Sequence, residues 1–171
     1  MGKDAEMVKN TVDAALLVRE FAQKGITVGT AESCTGGLVA KLITDVAGSS
    51  QVLLGGFVTY TNEVKTRLLG VDPGIFARDT EVSFACAEAM AAGARERLGA
   101  TLAVSLTGFA GPTGGTDADP VGTVYIGIAS ARGVRSERFQ APDPSTRESV
   151  RNAAAVRALE LLYDEGRLLI N

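Results

Sequence analysis

Apolar residues recur on one helical stripe at Val8, Val12, Ala15, Leu16 and Ala22, with Leu17 and Phe21 outside it and Gly25 following. This spacing predicts a helix over 5–24 that touches the core on more than one side and stops at the glycine. The β-branched run ITVGTAE at 26–32 predicts a short strand. Leu38, Val39, Leu42, Ile43 and Val46 then predict a helix with Ser33 as its N-cap. After Gly48-Ser49-Ser50, VLLGGFVTY reads as a second strand, whose Gly55-Gly56 marks a bulge or a close approach of another backbone. Asn62 is placed to cap a short helix over 63–69 stopped by Gly70, and Asp72-Pro73-Gly74 to turn the chain.

Ser83 can cap a long alanine-rich helix ending at Gly99, whose small side chains imply tight packing. TLAVSLT at 101–107 reads as a buried strand, and 121–131 with 134–140 as a hairpin joined at Arg132-Gly133. Ser145 and Glu148 have the spacing of a capping box opening a last helix, with Val150, Ala154, Leu161 and Leu162 on its apolar side. Helices alternate with strands and a hairpin closes the sheet. The expected fold is therefore α/β, a three-layer α/β/α sandwich with a mixed sheet, in a single domain over 1–171.

Composition narrows the function. At 171 residues and 46% hydrophobic, the chain suits one core. A formal charge of −3, with Lys and Arg spread through the chain, argues against nucleic acid as a partner. No signal-like start and no apolar run of about 18 residues is present, so no membrane is expected and the localisation expected is cytoplasmic. Cys34 and Cys86 are expected as free thiols, and two Cys without any His cannot build a usual zinc site.

Three stretches are richer in Gly, Ser and Thr than connectors need to be: TAESCTGG at 30–37, GSS at 48–50 and TGFAGPTGGTDADPVG at 107–122. The first and third follow apolar strands, where open α/β sheets bind ligands. TAESCTGG offers hydroxyls and N–H groups at a helix start, suited to an anion or equally to a plain capped helix. The third lacks the Gly-Lys-Ser/Thr of a phosphate loop, so an ordered turn-rich loop competes with a phosphate cradle. Ser33, Thr35, Gly36, Ser49, Thr107, Gly108 and Gly111 are the candidate substrate contacts. Arg147 and Arg151 open the last helix, where the dipole prefers acids, which marks either an anion site or solvated surface arginines.

A serine nucleophile in a chain without histidine needs another base, and Lys65 is the best placed of five lysines. Near a helix start, and with any burial beside Tyr60 and Phe57, its amine would favour the neutral form. A helix-surface lysine beside Glu63 is the ordinary alternative.

TAESCTGG, AGSS, GGFVTYTNEVK and TGFAGPTGG followed by PVGTV together resemble the C-terminal domain of the competence- and damage-inducible CinA family, in its stand-alone form as a nicotinamide-nucleotide amidase. The resemblance spans about residues 8 to 163. It implies hydrolysis of nicotinamide mononucleotide to nicotinate mononucleotide and ammonia, a layered α/β/α fold, no metal or cofactor, and a homodimer. By motif it makes Ser50 the nucleophile, Lys65 the general base and Tyr60 the residue that helps order them. It makes Thr107 an active-site hydroxyl and Arg147 the phosphate partner. APDPSTRESVR departs from the family's GDR-type stretch, and Asp119 stands where a lysine is common. The family's other setting carries an N-terminal pyrophosphatase-like domain, whose activity is not expected here. The expected oxyanion donors are backbone N–H groups near Ser49-Ser50 or in the 108–115 loop. Ser49 or Ser33 as nucleophile, a Cys34 thiol amidase, and a non-catalytic nucleotide-binding or regulatory module are the rival readings.

Overall fold

The computed structural model describes residues 13–170; the Val8 and Val12 part of the first predicted helix lies outside them. Helix α1 (Ala14–Lys24) starts at Asp13, whose side chain accepts from the Leu16 N–H, and ends on left-handed Gly25. Strand β1 (Val28–Glu32) leads to α2 (Leu38–Thr44), then to a 3-10 turn at Ser49–Gln51 and strand β2 (Leu53–Val58). Helices α3 (Asn62–Leu69), α4 (Pro73–Arg78) and α5 (Phe84–Leu98) follow in series. Strands β3 (Leu102–Gly108), β4 (Thr123–Ser130) and β5 (Gly133–Gln140) precede the long α6 (Arg147–Ile170).

The five strands form one sheet in the order β2-β1-β3-β4-β5. β1 lies parallel to β2 and β3, whereas β3, β4 and β5 run antiparallel. The sheet is mixed and covered on both faces, as the sequence predicts. On one face α1, α2 and α6 bury Leu17, Phe21, Ile43 and Leu162 against Val28, Val104 and Ile126. On the other, α3, α4 and α5 pack Leu69, Ile75 and Met90 against Ala31 and Ala103.

Several predicted boundaries shift for physical reasons. The register slips between Val28 and Gly29, which pair with Leu53 and Gly55 and leave Leu54 as the bulge. Gly55-Gly56 thus lies beside the bulge, and what approaches Gly56 closely is the Thr30 side-chain hydroxyl rather than another backbone. The cap of α3 is Thr61, whose hydroxyl accepts from the Val64 N–H, rather than Asn62. Asp72-Pro73 does not merely turn the chain: Asp72 caps α4 and Pro73 occupies its first turn, where a missing N–H costs nothing. At α6 the reciprocal cap is Thr146 with Ser149, not Ser145 with Glu148. No helix among the described residues is long and apolar enough to cross a membrane.

The alanine-rich α5 lies close to its neighbours because small residues face them. A Cβ on Gly93 would stand 2.0 Å from the Leu69 carbonyl oxygen, at the end of α3. Backbone cannot yield as a flexible side chain does, so Gly93→Ala should force α3 outward. Loss of roughly 1–3 kcal/mol of stability is expected, the scale of core overpacking, measured by urea denaturation. An unchanged midpoint would refute this account of the α3–α5 contact.

Candidate active site

β1 sends the chain to one face of the sheet through α2, and β2 sends it to the other through α3. Their loops diverge over the carboxyl ends of the parallel strands, where such sheets open a crevice. The cavity there, about 220 Å³, is lined by Ser33 and Cys34 from the turn after β1, and by Tyr60 and Lys65 from the β2–α3 segment. The β3 end and its following turn add Thr107, Gly108 and Gly111, and α6 adds Arg147.

Glu32 closes β1 fully buried. Its carboxylate accepts from the N–H groups of Gly37 and Val39 at 3.1 Å and of Ala40 at 3.0 Å. α2 has no side-chain cap of its own, since Gly37 is its N-cap, so Glu32 satisfies donors that Ser33 was expected to take. The positive end of this helix is thereby filled by the protein's own carboxylate, which corrects the reading of TAESCTGG as an anion cradle. The turn is tied further by Ser33 N–H to the Leu106 carbonyl at 2.9 Å, and by Gly36 N–H to the Ser33 carbonyl. Arg151 Nη2 donates to the Thr35 carbonyl at 2.9 Å. Arg151 is thus spent on bracing this turn.

Lys65 lies in the second turn of α3 and is 1% exposed. Its Nζ donates to Ser33 Oγ at 3.3 Å. Burial lowers its pKa below the ordinary lysine value, opposed by the nearby Cys86, Glu81 and Cys34. The expectation of a desolvated amine therefore meets a buried side chain in contact with a serine hydroxyl.

That serine is Ser33, not Ser50. Ser49 and Ser50 occupy the 3-10 turn before β2, and Val52, immediately after it, hydrogen bonds to Val28 at the start of β1. Ser33 follows the other end of β1, and five strand residues separate the two by about 16 Å. The strand run that joins Ser50 to Lys65 in sequence carries them to opposite ends of the sheet. Within this chain Ser50 and Ser49 are therefore outside the cavity, which corrects both assignments.

The other predicted residues take distinct positions. Tyr60 is 60% exposed at the cavity mouth. Its hydroxyl accepts from Arg147 Nη2 at 2.9 Å, so it orders the arginine rather than the serine and lysine. Arg147 Nη1 also donates to the Gly111 carbonyl at 2.8 Å, holding the glycine-rich turn to α6. Thr107 Oγ1 donates to the Glu81 carbonyl at 2.6 Å, so its hydroxyl braces the loop before α5. Thr35 does not line the cavity, and its buried hydroxyl has no hydrogen-bond partner among the described residues. Gly36 adopts φ +63°, a left-handed turn position. Gly108 must be glycine because a Cβ would meet the Thr123 carbonyl at 2.5 Å.

Cys34 lines the cavity, but burial first, then the charge of Glu32, pushes its pKa up to about 12. Cys86, behind Lys65, is pushed up to about 11, also by burial. Both are thiols rather than thiolates near neutral pH, which removes the basis for a thiol nucleophile. Sequence reasoning missed Glu32, Glu81 and Phe109. An acid closing an otherwise apolar strand was a readable signal for Glu32. Glu81 and Phe109 sit in loops that carry no such signal.

Fold and site define an α/β protein whose serine and buried lysine meet at the carboxyl ends of parallel strands. The chain belongs to the CinA C-terminal domain family, whose model matches residues 10–165. It is 51% identical over 155 residues to a CinA-like protein of Geobacter sulfurreducens, covering 90% of this chain and 36% of that protein. It is 46% identical to a CinA-like protein of Synechocystis, covering 94% and 38%. The chain thus spans little more than a third of these curated relatives. Among solved structures, the competence/damage inducible protein CihA of Agrobacterium tumefaciens matches with a TM-score of 0.84 at 41% identity, over 87% of this chain and 90% of that one. A CinA superfamily protein of Escherichia coli matches with 0.81 at 32% identity, over 95% and 93%.

Two outcomes follow from the burial of these charges. Folding lowers the Lys65 pKa, so the unfolded chain holds more protons there, and the resulting penalty grows as pH falls from about 10.5 toward the folded-state value. Lys65→Met should raise the melting temperature at pH 7, by roughly 2–4 °C per kcal/mol gained, with the advantage fading as pH rises toward 10.5. A variant less stable than the parent at pH 7 would contradict this. Glu32→Gln should cost about 1–3 kcal/mol, the scale of an unsatisfied buried donor, and speed amide exchange at Gly37, Val39 and Ala40. Unchanged exchange at those amides would count against the cap.

Proposed function

We propose that this chain is a nicotinamide-nucleotide amidase in which Ser33 is the nucleophile and Lys65 the general base. The observation that carries the reading is the 3.3 Å contact between Lys65 Nζ and Ser33 Oγ, with the lysine buried and its pKa lowered. A neutral amine beside a hydroxyl is the activation that a serine nucleophile needs where histidine is absent.

In this reading neutral Lys65 takes the Ser33 proton as Oγ bonds to the carboxamide carbon, and the carbonyl π pair moves to oxygen. The resulting ammonium then gives that proton to the departing nitrogen as the C–N bond breaks, releasing ammonia. Water, deprotonated by the same amine, attacks the acyl-serine; as the C–Oγ bond breaks the ammonium returns that proton to Ser33 Oγ, and the freed acid ionises to the carboxylate in solvent. The backbone N–H groups of Ala110 and Gly111 are the candidate oxyanion donors, worth up to about 3–4 kcal/mol each, the Phe109 N–H being bonded to the Thr123 carbonyl. Arg147, fixed at the cavity mouth by Tyr60 and Gly111, offers its charge to the nucleotide phosphate.

Purified Ser33→Ala and Lys65→Met should each lose at least about 10²-fold in ammonia release from nicotinamide mononucleotide, the lower end of acid–base effects. Ser50→Ala should stay within about threefold of the parent. Wild-type rates in Ser33→Ala, or loss in Ser50→Ala alone, would overturn the assignment. Tight nucleotide binding with no ammonia from the parent protein would favour a non-catalytic module instead.

A further inference from the structure

A second and larger cavity, about 540 Å³, opens on the far side of Glu81, Val82 and Phe109, which line both cavities. Its wall brings together three aromatic rings, Phe84, Phe109 and Tyr125, and three carboxylates, Asp79, Glu81 and Asp119. No lysine or arginine lines it among the described residues. Phe84 and Tyr125 meet edge to face, with centroids 4.7 Å apart, and Phe84 is 49% exposed.

The carboxylates are unequally matched. Asp119 accepts from Arg138 at 2.8 Å and from the Tyr125 hydroxyl at 3.1 Å, and Asp79 has Arg78 at 3.6 Å. Glu81 has no ion pair among the described residues. The basic group whose charge it favours is Lys65, which burial holds toward neutrality. An unmatched carboxylate beside the exposed Phe84 ring is complementary to positive charge, since ring faces attract cations electrostatically. The loop carrying Glu81 is held in place: Thr80, a β-branched residue, adopts φ +68°, its carbonyl accepting from Ser83 Oγ at 3.0 Å. Such strain persists only where surrounding contacts impose it. Thr107 clamps the Glu81 carbonyl from the other side.

We infer that this acidic, aromatic cavity is a second binding site, taking a compact organic cation with Glu81 as its unmatched counter-charge and Phe84 as its exposed ring face. The site requires no amide chemistry, so it stands or falls apart from the amidase reading.

The test titrates the full chain with N-methylpyridinium, using neutral benzyl alcohol and anionic benzenesulfonate as controls. Aromatic resonances report the site. The cation should bind at least tenfold more tightly than benzyl alcohol and shift Phe84, Phe109 and Tyr125, whereas benzenesulfonate should not bind. Glu81→Gln and Phe84→Leu should each weaken the cation at least fivefold. Both positions are exposed, and a thermal melt checks folding. Should Phe84→Leu melt early, Glu81→Gln alone decides. Equal affinity for benzyl alcohol, shifts confined to residues around Ser33, or full affinity in Glu81→Gln would each overturn the proposal.

Discussion

The buried carboxylate of Glu32 and the three amide hydrogens that it accepts set the position of everything around them. A helix must satisfy its first N–H groups where they leave water, and the partly buried start of α2 is a glycine without a capping side chain. Glu32 supplies the acceptor from the last residue of β1, joining strand end to helix start through the Ser33–Gly37 turn. The same bond set takes up the favourable charge at the helix end, so α2 is not available to an incoming anion. The serine is left projecting from a turn whose backbone is also held by Leu106 and Arg151.

Against this fixed turn the lysine arrives from the opposite layer. α3 brings Lys65 to the serine because α5 lets it dock closely, with Gly93 against the Leu69 carbonyl. The depth of that docking decides the amine's chemistry. An exposed lysine would be protonated and unable to accept a hydroxyl proton, whereas burial shifts the balance toward the neutral form. The packing of α3 against α5 is therefore part of how the base is prepared.

The fold was largely readable because its signals are local. Gly25, Gly70 and Gly99 each close a helix in the left-handed conformation, and the Arg132-Gly133 joint makes the predicted hairpin. The candidate site was readable by residue type and not by pairing. Residue type and helix position single out Lys65, which the structure buries against Ser33, whereas chain proximity points to Ser49 and Ser50 as its partner. A parallel sheet defeats that reasoning. Residues flanking one strand in sequence lie at its two ends, and residues that follow neighbouring strands meet. Ser33 and Lys65 follow β1 and β2, whereas Ser50 precedes β2. The caps shifted by one residue for a related reason: Thr61 and Thr146 compete with adjacent Asn62 and Ser145, and only the approach angle of the chain decides between them.

Arginine placement completes the picture. Arg147 and Arg151 open α6 against the preference of its dipole for acids. Each is used for geometry: Arg151 on the turn that carries Ser33, and Arg147 on the turn at Gly111 and on Tyr60. α6 thereby ties together the loops that follow β1, β2 and β3, adding to the backbone bonds from Thr59 to Glu32 and from Ser33 to Leu106. One helix start thus acts as a common anchor of the loops that frame the small cavity.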